Sequence, residues 1–390
     1  MNPVNPVALK GSPGAPRAAD TLRGTSSAAD GTIPSADRTL AQARALIGDL
    51  FTHRPIIYWT DLLLTLAIGY TAAAVYLSAA PFSLLQVTAL LVSGFALFRA
   101  GSYVHEITHM NNGEMLGFRV GWNLLCGIPM VMPSHFYENH IDHHKSQHYG
   151  TQLDGEYLPL ALGPISKILL FFAQVPLLPA YIALRLLLSP ISFLHPRLRN
   201  WTLVHASSYV INYRHRLTIR PNAPRRAWAA LEIACCLRLG VMFGVVLVGM
   251  FPWSRLVAMY VLAMFVLGLN YIRNLVAHRY ANDGQPMNRA EQLTDSITIG
   301  SRGFLTELFF PLSLRYHALH HLFPGIPYHN LGEAHWRLMA RLPADSLYHR
   351  TVVPGFWAAA RELWTSARRH SAAMRNIGAE GTAPSSIPVG

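Results

Sequence analysis

Two pairs of apolar runs govern what this chain can fold into. Residues 56–79 (IIYWTDLLLTLAIGYTAAAVYLSA) and 81–98 (PFSLLQVTALLVSGFALF) are separated by almost nothing, and residues 233–251 and 256–272 are joined only by PWSR. Each run is close to the roughly 20 residues with which a helix crosses a hydrocarbon layer, and links this short allow only an immediate return. With their flanks, the runs are expected to span residues 56–79, 81–104, 229–251 and 254–273. The composition agrees: 51% of residues are hydrophobic and 13% charged, against roughly 25% charged in an ordinary soluble domain. The expected fold class is an all-α integral membrane protein with about four transmembrane helices in two hairpins.

Positive charge sets the expected topology. The formal net charge is +12, nearly all of it from arginine. The hairpin turns carry only Arg255, while NYRHRLTIRPNAPRR (residues 212–226) precedes the third run. Loops rich in arginine stay on the cytoplasmic side, so the termini and the segment between the hairpins are expected there. A nucleic-acid partner is not expected, because these arginines flank apolar runs instead of lining a soluble groove. The cysteines, Cys126, Cys235 and Cys236, form no CxxC pair and imply no thiol chemistry.

The domain reading follows. Residues 1–45, rich in Pro, Gly, Ala and Ser, are expected to be a disordered tail without a cleavable signal peptide. Residues 46–345 form the membrane domain, and residues 346–390 a C-terminal cytoplasmic helix with a flexible end. A further apolar stretch, residues 165–188, is interrupted by Pro176 and Pro179 and flanked by Lys167 and Arg185. It is expected to be interfacial or re-entrant, since one more crossing would put the histidine groups on opposite sides of the membrane.

Those histidines carry the functional signal. His105 and His109 stand in HEITH directly after the second run; HIDHH holds His140, His143 and His144; NLVAH, after the fourth run, holds Asn274 and His278; HALHH holds His317, His320 and His321. Spacings of three and four put the rings of each group on one helical face. All four groups lie at the cytoplasmic ends of apolar runs, so they can meet. His135, His148 and His329 adjoin the groups and are candidates for supporting the ligands, whereas His53, His195, His205, His215, His335, His349 and His370 stand alone and are read as structural or surface residues.

The boxes HxxxH, HxxHH and HxxHH, with HHLFPGIPYHNL after the last, resemble the three histidine boxes of the membrane fatty acid desaturase and hydroxylase superfamily. Asn274-xxx-His278 is similar to an additional ligand element of stearoyl-CoA desaturases, in which the asparagine reaches a metal through water. The resemblance covers roughly residues 56–342. It implies a cytoplasmic helical cap with two non-haem irons held by His105, His109, His140, His143, His144, His278, His317, His320 and His321, with Asn274 close by. Imidazole alone also suits zinc, copper or nickel, so the choice of iron rests on the resemblance.

The same resemblance implies an O2-dependent desaturase acting on a fatty acyl or similar lipid chain, as lipid or thioester, with hydroxylation as the alternative outcome. A separate ferredoxin or cytochrome-type donor is implied, because no fused HPGG-bearing domain is found. A basic surface with Arg214, Arg216, Arg220, Arg225 and Arg226 is a docking candidate for such an acidic carrier, although the same arginines also serve topology. The implied location is the bacterial inner membrane, with the metal site cytoplasmic. A remote alternative is an intramembrane zinc protease using HExxH with Leu153-Asp154-Gly155, in which Glu106 would be the base. That reading leaves most of the clustered histidines idle.

Overall fold

A computed structural model describes residues 36–111 and 113–380. Four of its helices are long and apolar enough to cross a membrane: Pro55–Ser78, Leu84–His109, Arg225–Leu247 and Trp253–Leu275. The protein is mostly helical. Its one sheet among the described residues pairs Thr298–Ile299 with Val352–Val353 in parallel, Thr298 opposite Val352.

The first helix begins with Pro55, whose missing N–H is no loss in an opening turn. The second is capped by Ser83, which accepts from the Gln86 amide at 3.1 Å. These two helices form a hairpin, tied by an ion pair from Arg99 Nε to Asp61 Oδ1 at 3.0 Å. Tyr328 donates to Asp61 at 2.8 Å and receives from Tyr103 at 2.9 Å, so a carboxylate near a helix end is fully partnered. The second helix also packs closely on the fourth: a Cβ at Gly94 would meet the Phe265 ring at 2.1 Å. That contact needs glycine.

Side chains such as Leu64, Ile68, Leu91, Leu237, Val241 and Val257 are exposed along these helices. On a soluble domain such a continuous apolar surface would be a liability. Here it is the face that meets lipid, and the chain is an integral membrane protein.

The proline-interrupted stretch forms two helices, Ile165–Ala173 and Leu178–Leu187, bent by 46°. The break falls around Pro176, as expected of a residue that cannot continue the hydrogen-bond ladder. Arg185 departs from its expected place as a membrane flank: it is buried and bonds Glu232 of the third membrane helix at 3.0 Å.

At the ends of the chain the boundaries shift. Residues 1–35 of the expected tail lie outside the described residues, but Ala36–Ile47 is a helix. Its Ala43 and Ile47 are buried against Leu331, Ala334 and Leu338 of the helix Tyr328–Arg341. An alanine- and arginine-rich composition masked this packing face. The expected C-terminal helix is Phe356–Glu380, docked through Leu363 and Ala367 against Tyr149, Tyr157 and Tyr280. The flexible end assigned to the last residues lies outside the described residues.

Candidate metal centre

The histidine groups arrive from four separate elements. His105 and His109 occupy the last two turns of the second membrane helix itself, not a segment after it. His140 and His143 sit on the five-residue helix Asn139–His143, with His144 as its cap. His278 follows the fourth membrane helix, and its backbone bridges Ser296. His317, His320 and His321 lie on the short helix His317–Leu322, whose Ala318 amide bonds the Ile297 carbonyl at 3.3 Å.

These elements converge. Ligand atoms of His105, His109, His140 and His320 all lie within 4.8 Å of one another, and so do those of His143, His278, His317 and His321. His144 joins the first group, with Nε2 at 3.0 Å from His140 Nε2 and 3.1 Å from His320 Nε2. Its ring also stacks on His321 of the second group, at 4.2 Å between centroids. Asn274 lines a cavity of about 10 Å³ together with His140, His143, His278 and His317.

Partners behind the rings fix which nitrogen carries the proton. His140 Nδ1 donates to Glu156 at 2.9 Å, and His143 Nδ1 donates to Asp154 at 2.8 Å. His278 Nδ1 donates to the Tyr149 hydroxyl at 2.7 Å, because that hydroxyl spends its own proton on Asp295 at 2.8 Å. A neutral imidazole protonated at Nδ1 has only a lone pair at Nε2. Yet Nε2 of His143 and Nε2 of His278 face each other at 3.2 Å. Two lone pairs at that distance repel unless a cation lies between them, which is how a buried carboxylate–histidine pair prepares a metal ligand.

His105 asks for the same guest: both its ring nitrogens are buried without a hydrogen-bond partner among the described residues. Burial, reinforced by neighbouring positive groups, holds His140, His144, His278, His317, His320 and His321 well below the usual histidine range. They are neutral and free to ligate. Burial also works against a charged His143, but Asp154 outweighs it and raises that residue. Burial pushes Glu156 up to about 7 and Asp295 up to about 6, so both carboxylates need positive charge nearby to stay ionised. The donor set fits two metal ions, one beside each group.

Asp154, Glu156, Tyr149 and Asp295 were not singled out as supporting residues by sequence reasoning. The one available signal was the LDGE run itself, since metal-binding imidazoles need acceptors behind them. By sequence it reads as loop after the second box or, remotely, as part of a protease site. The structure separates that pair: Asp154 bonds His143, while Glu106 accepts from Tyr58 Oη at 2.7 Å and from the Tyr328 amide at 3.1 Å. Glu106 therefore braces the helix end and faces no water-activating position.

Of the histidines expected to support the ligands, His135 instead bonds Glu232 at 3.1 Å, in a separate buried cluster. His148 lies 3.8 Å from Asp142, and His329 bonds Asn330. Of the isolated histidines, His53 pairs with Glu114 and His335 with the Tyr348 hydroxyl.

Two comparisons bear on this arrangement. The model of the family described as fatty acid desaturase matches residues 81–352. A ceramide hydroxylase of Caulobacter vibrioides (strain NA1000 / CB15N) is 40% identical over 344 residues, covering 86% of this chain and 95% of that protein. This protein belongs to the fatty acid desaturase family, as a lipid-modifying membrane oxidoreductase.

Proposed function

We propose that this chain is a di-iron, O2-dependent hydroxylase of a ceramide-type lipid. The observation that carries this reading is the 40% identity to a named ceramide hydroxylase along 95% of its length. It favours the hydroxylase over the desaturase that the boxes alone suggested. Both outcomes begin with removal of hydrogen from carbon, and the same ligand set serves either.

His105, His109, His140, His144 and His320 would hold one iron, and His143, His278, His317 and His321 the other, with Asn274 beside the second group. When bound, the irons supply, with O2 and two external electrons, an oxidant that no side chain can provide. The chain's own residues prepare the place. Glu156, Asp154 and the Tyr149–Asp295 pair hold the Nδ1 protons of three rings and keep their lone pairs inward. Burial of these rings excludes water that would otherwise quench the oxidant.

In the balanced reaction one oxygen atom enters a C–H bond and the other leaves as water, with two electrons from a separate donor and two protons from solvent. Arg214, Arg216 and Arg220, on the segment before the third membrane helix, and Arg225 and Arg226, in its first turn, are all exposed. They suit an acidic carrier on the cytoplasmic side. The reading places the centre, its cap and both chain ends on that side of a bacterial inner membrane, with residues 46–345 as the membrane domain.

The test is reconstitution of the iron-loaded enzyme in lipid with a ceramide, O2 and a ferredoxin-type donor, followed by mass spectrometry. A product heavier by one oxygen atom, formed more slowly as salt rises, is expected. A product lighter by two hydrogens would return the desaturase reading.

A further inference from the structure

A buried arginine stands at the mouth of the fourth membrane helix with part of its guanidinium unused. Arg273 is 4% exposed and lines the same small cavity as His140, His143, His278 and His317. Its Nε and Nη2 donate to Asn270 Oδ1 at 3.3 and 3.2 Å, and Nη2 also donates to Asn274 Oδ1 at 2.5 Å. Nη1 has no hydrogen bond of its own among the described residues, although the Tyr137 hydroxyl interacts with the guanidinium. No carboxylate oxygen among the described residues lies within 4.0 Å of the guanidinium. Glu156 and Tyr137 feel its charge. Yet the Glu156 oxygens are taken by His140, Asn139 and Tyr137.

A permanent positive charge beside two prospective cations, with Glu156 as the anion on the same cavity and its oxygens already engaged, is costly to bury. Ionisable residues kept in membrane helices ordinarily face a partner or a ligand. The two asparagines clamp one edge of the fork and aim it, which leaves the other end for an incoming acceptor. A plain methylene chain passing this point would leave the charge unpaired. A substrate with an oxygen close to the reacting carbon would pair it.

We infer that Arg273 is a specificity-determining residue that hydrogen-bonds, through Nη1, a hydroxyl or amide oxygen of the lipid head region, so that oxidation falls within a few bonds of that oxygen. The inference rests on the lipid hydroxylase reading and narrows it to carbons near a polar head. The cavity of about 10 Å³ admits no more than one water-sized atom, so a substrate oxygen there would take the place of a water.

The test is equilibrium binding to iron-loaded enzyme without reductant, so that no turnover is involved. The probes are a short-chain N-acyl sphinganine and a straight-chain hydrocarbon amine of equal length that lacks its hydroxyl and amide oxygens. Wild type is expected to prefer the oxygenated probe, and Arg273→Leu to lose at least about ten-fold of that affinity while binding the other probe unchanged. Arg273→Lys, which keeps charge but not the fork, should recover part of the preference with the metal complement intact. Equal weakening of both probes, or loss of metal in both variants, would assign Arg273 a purely structural role and overturn the inference. So would unchanged preference. Failure of wild type to bind either probe would instead count against the lipid hydroxylase reading itself.

Discussion

Two buried polar clusters lie in this protein and are built on opposite principles. Around Glu232, in the third membrane helix, opposite charges meet. Arg199 reaches both carboxylate oxygens at 2.9 Å, and Arg185 and Ser189 each bond Oε2 at 3.0 Å. His135 closes the ring at 3.1 Å. This cluster pins the bent helix pair to the third membrane helix, and its carboxylate is fully paired within the protein. In the histidine centre, by contrast, like atoms face one another: His317 Nε2 lies 3.0 Å from His278 Nε2 and 3.1 Å from His321 Nε2. One cluster is complete as a protein structure. The other becomes complete only around cations.

That contrast can be broken by substitution. The largest effect is expected at His320 or His144: replacement by alanine removes a ligand and should abolish product while the protein stays in membranes. Retained turnover in either variant would contradict the ligand assignment. Next comes Glu232→Ala, which leaves Arg185 and Arg199 buried without their carboxylate and should cost about 3–5 kcal/mol of stability. Metal content per folded chain should be unchanged, as measured by elemental analysis alongside a thermal melt. A drop in metal with an unchanged melt would erase the distinction between the clusters.

Asp154→Asn is the finest probe. The His143 ring loses the charge that orients it, and metal retention against a chelator should weaken by about 10–100-fold. The metal-free variant should melt much as the metal-free wild type does. If chelator resistance is unchanged, the carboxylates behind the rings do not prepare them.

How much of this was legible in the sequence follows from the range of each signal. The membrane helices announce themselves by long apolar runs, and the histidines by helical spacing, because both signals are local. Asp154 and Glu156 act on rings 11 and 16 residues away, and Asp295 acts through Tyr149 across 146 residues. Such pairings have no periodicity to read. Arg273 carries no spacing or motif of its own in the sequence, and only the fold shows that it is buried among the ligands. The helix Ala36–Ile47 was missed because alanine and arginine dominate it, and its small apolar face gains meaning only against Leu331 and Leu338.

The central claim is that the nine clustered histidines hold two irons. Elemental analysis of the purified, detergent-solubilised chain, expressed with ample iron, tests it most directly. About two irons per chain is the expected result, the count a two-metal site requires. A single zinc per chain would contradict the account.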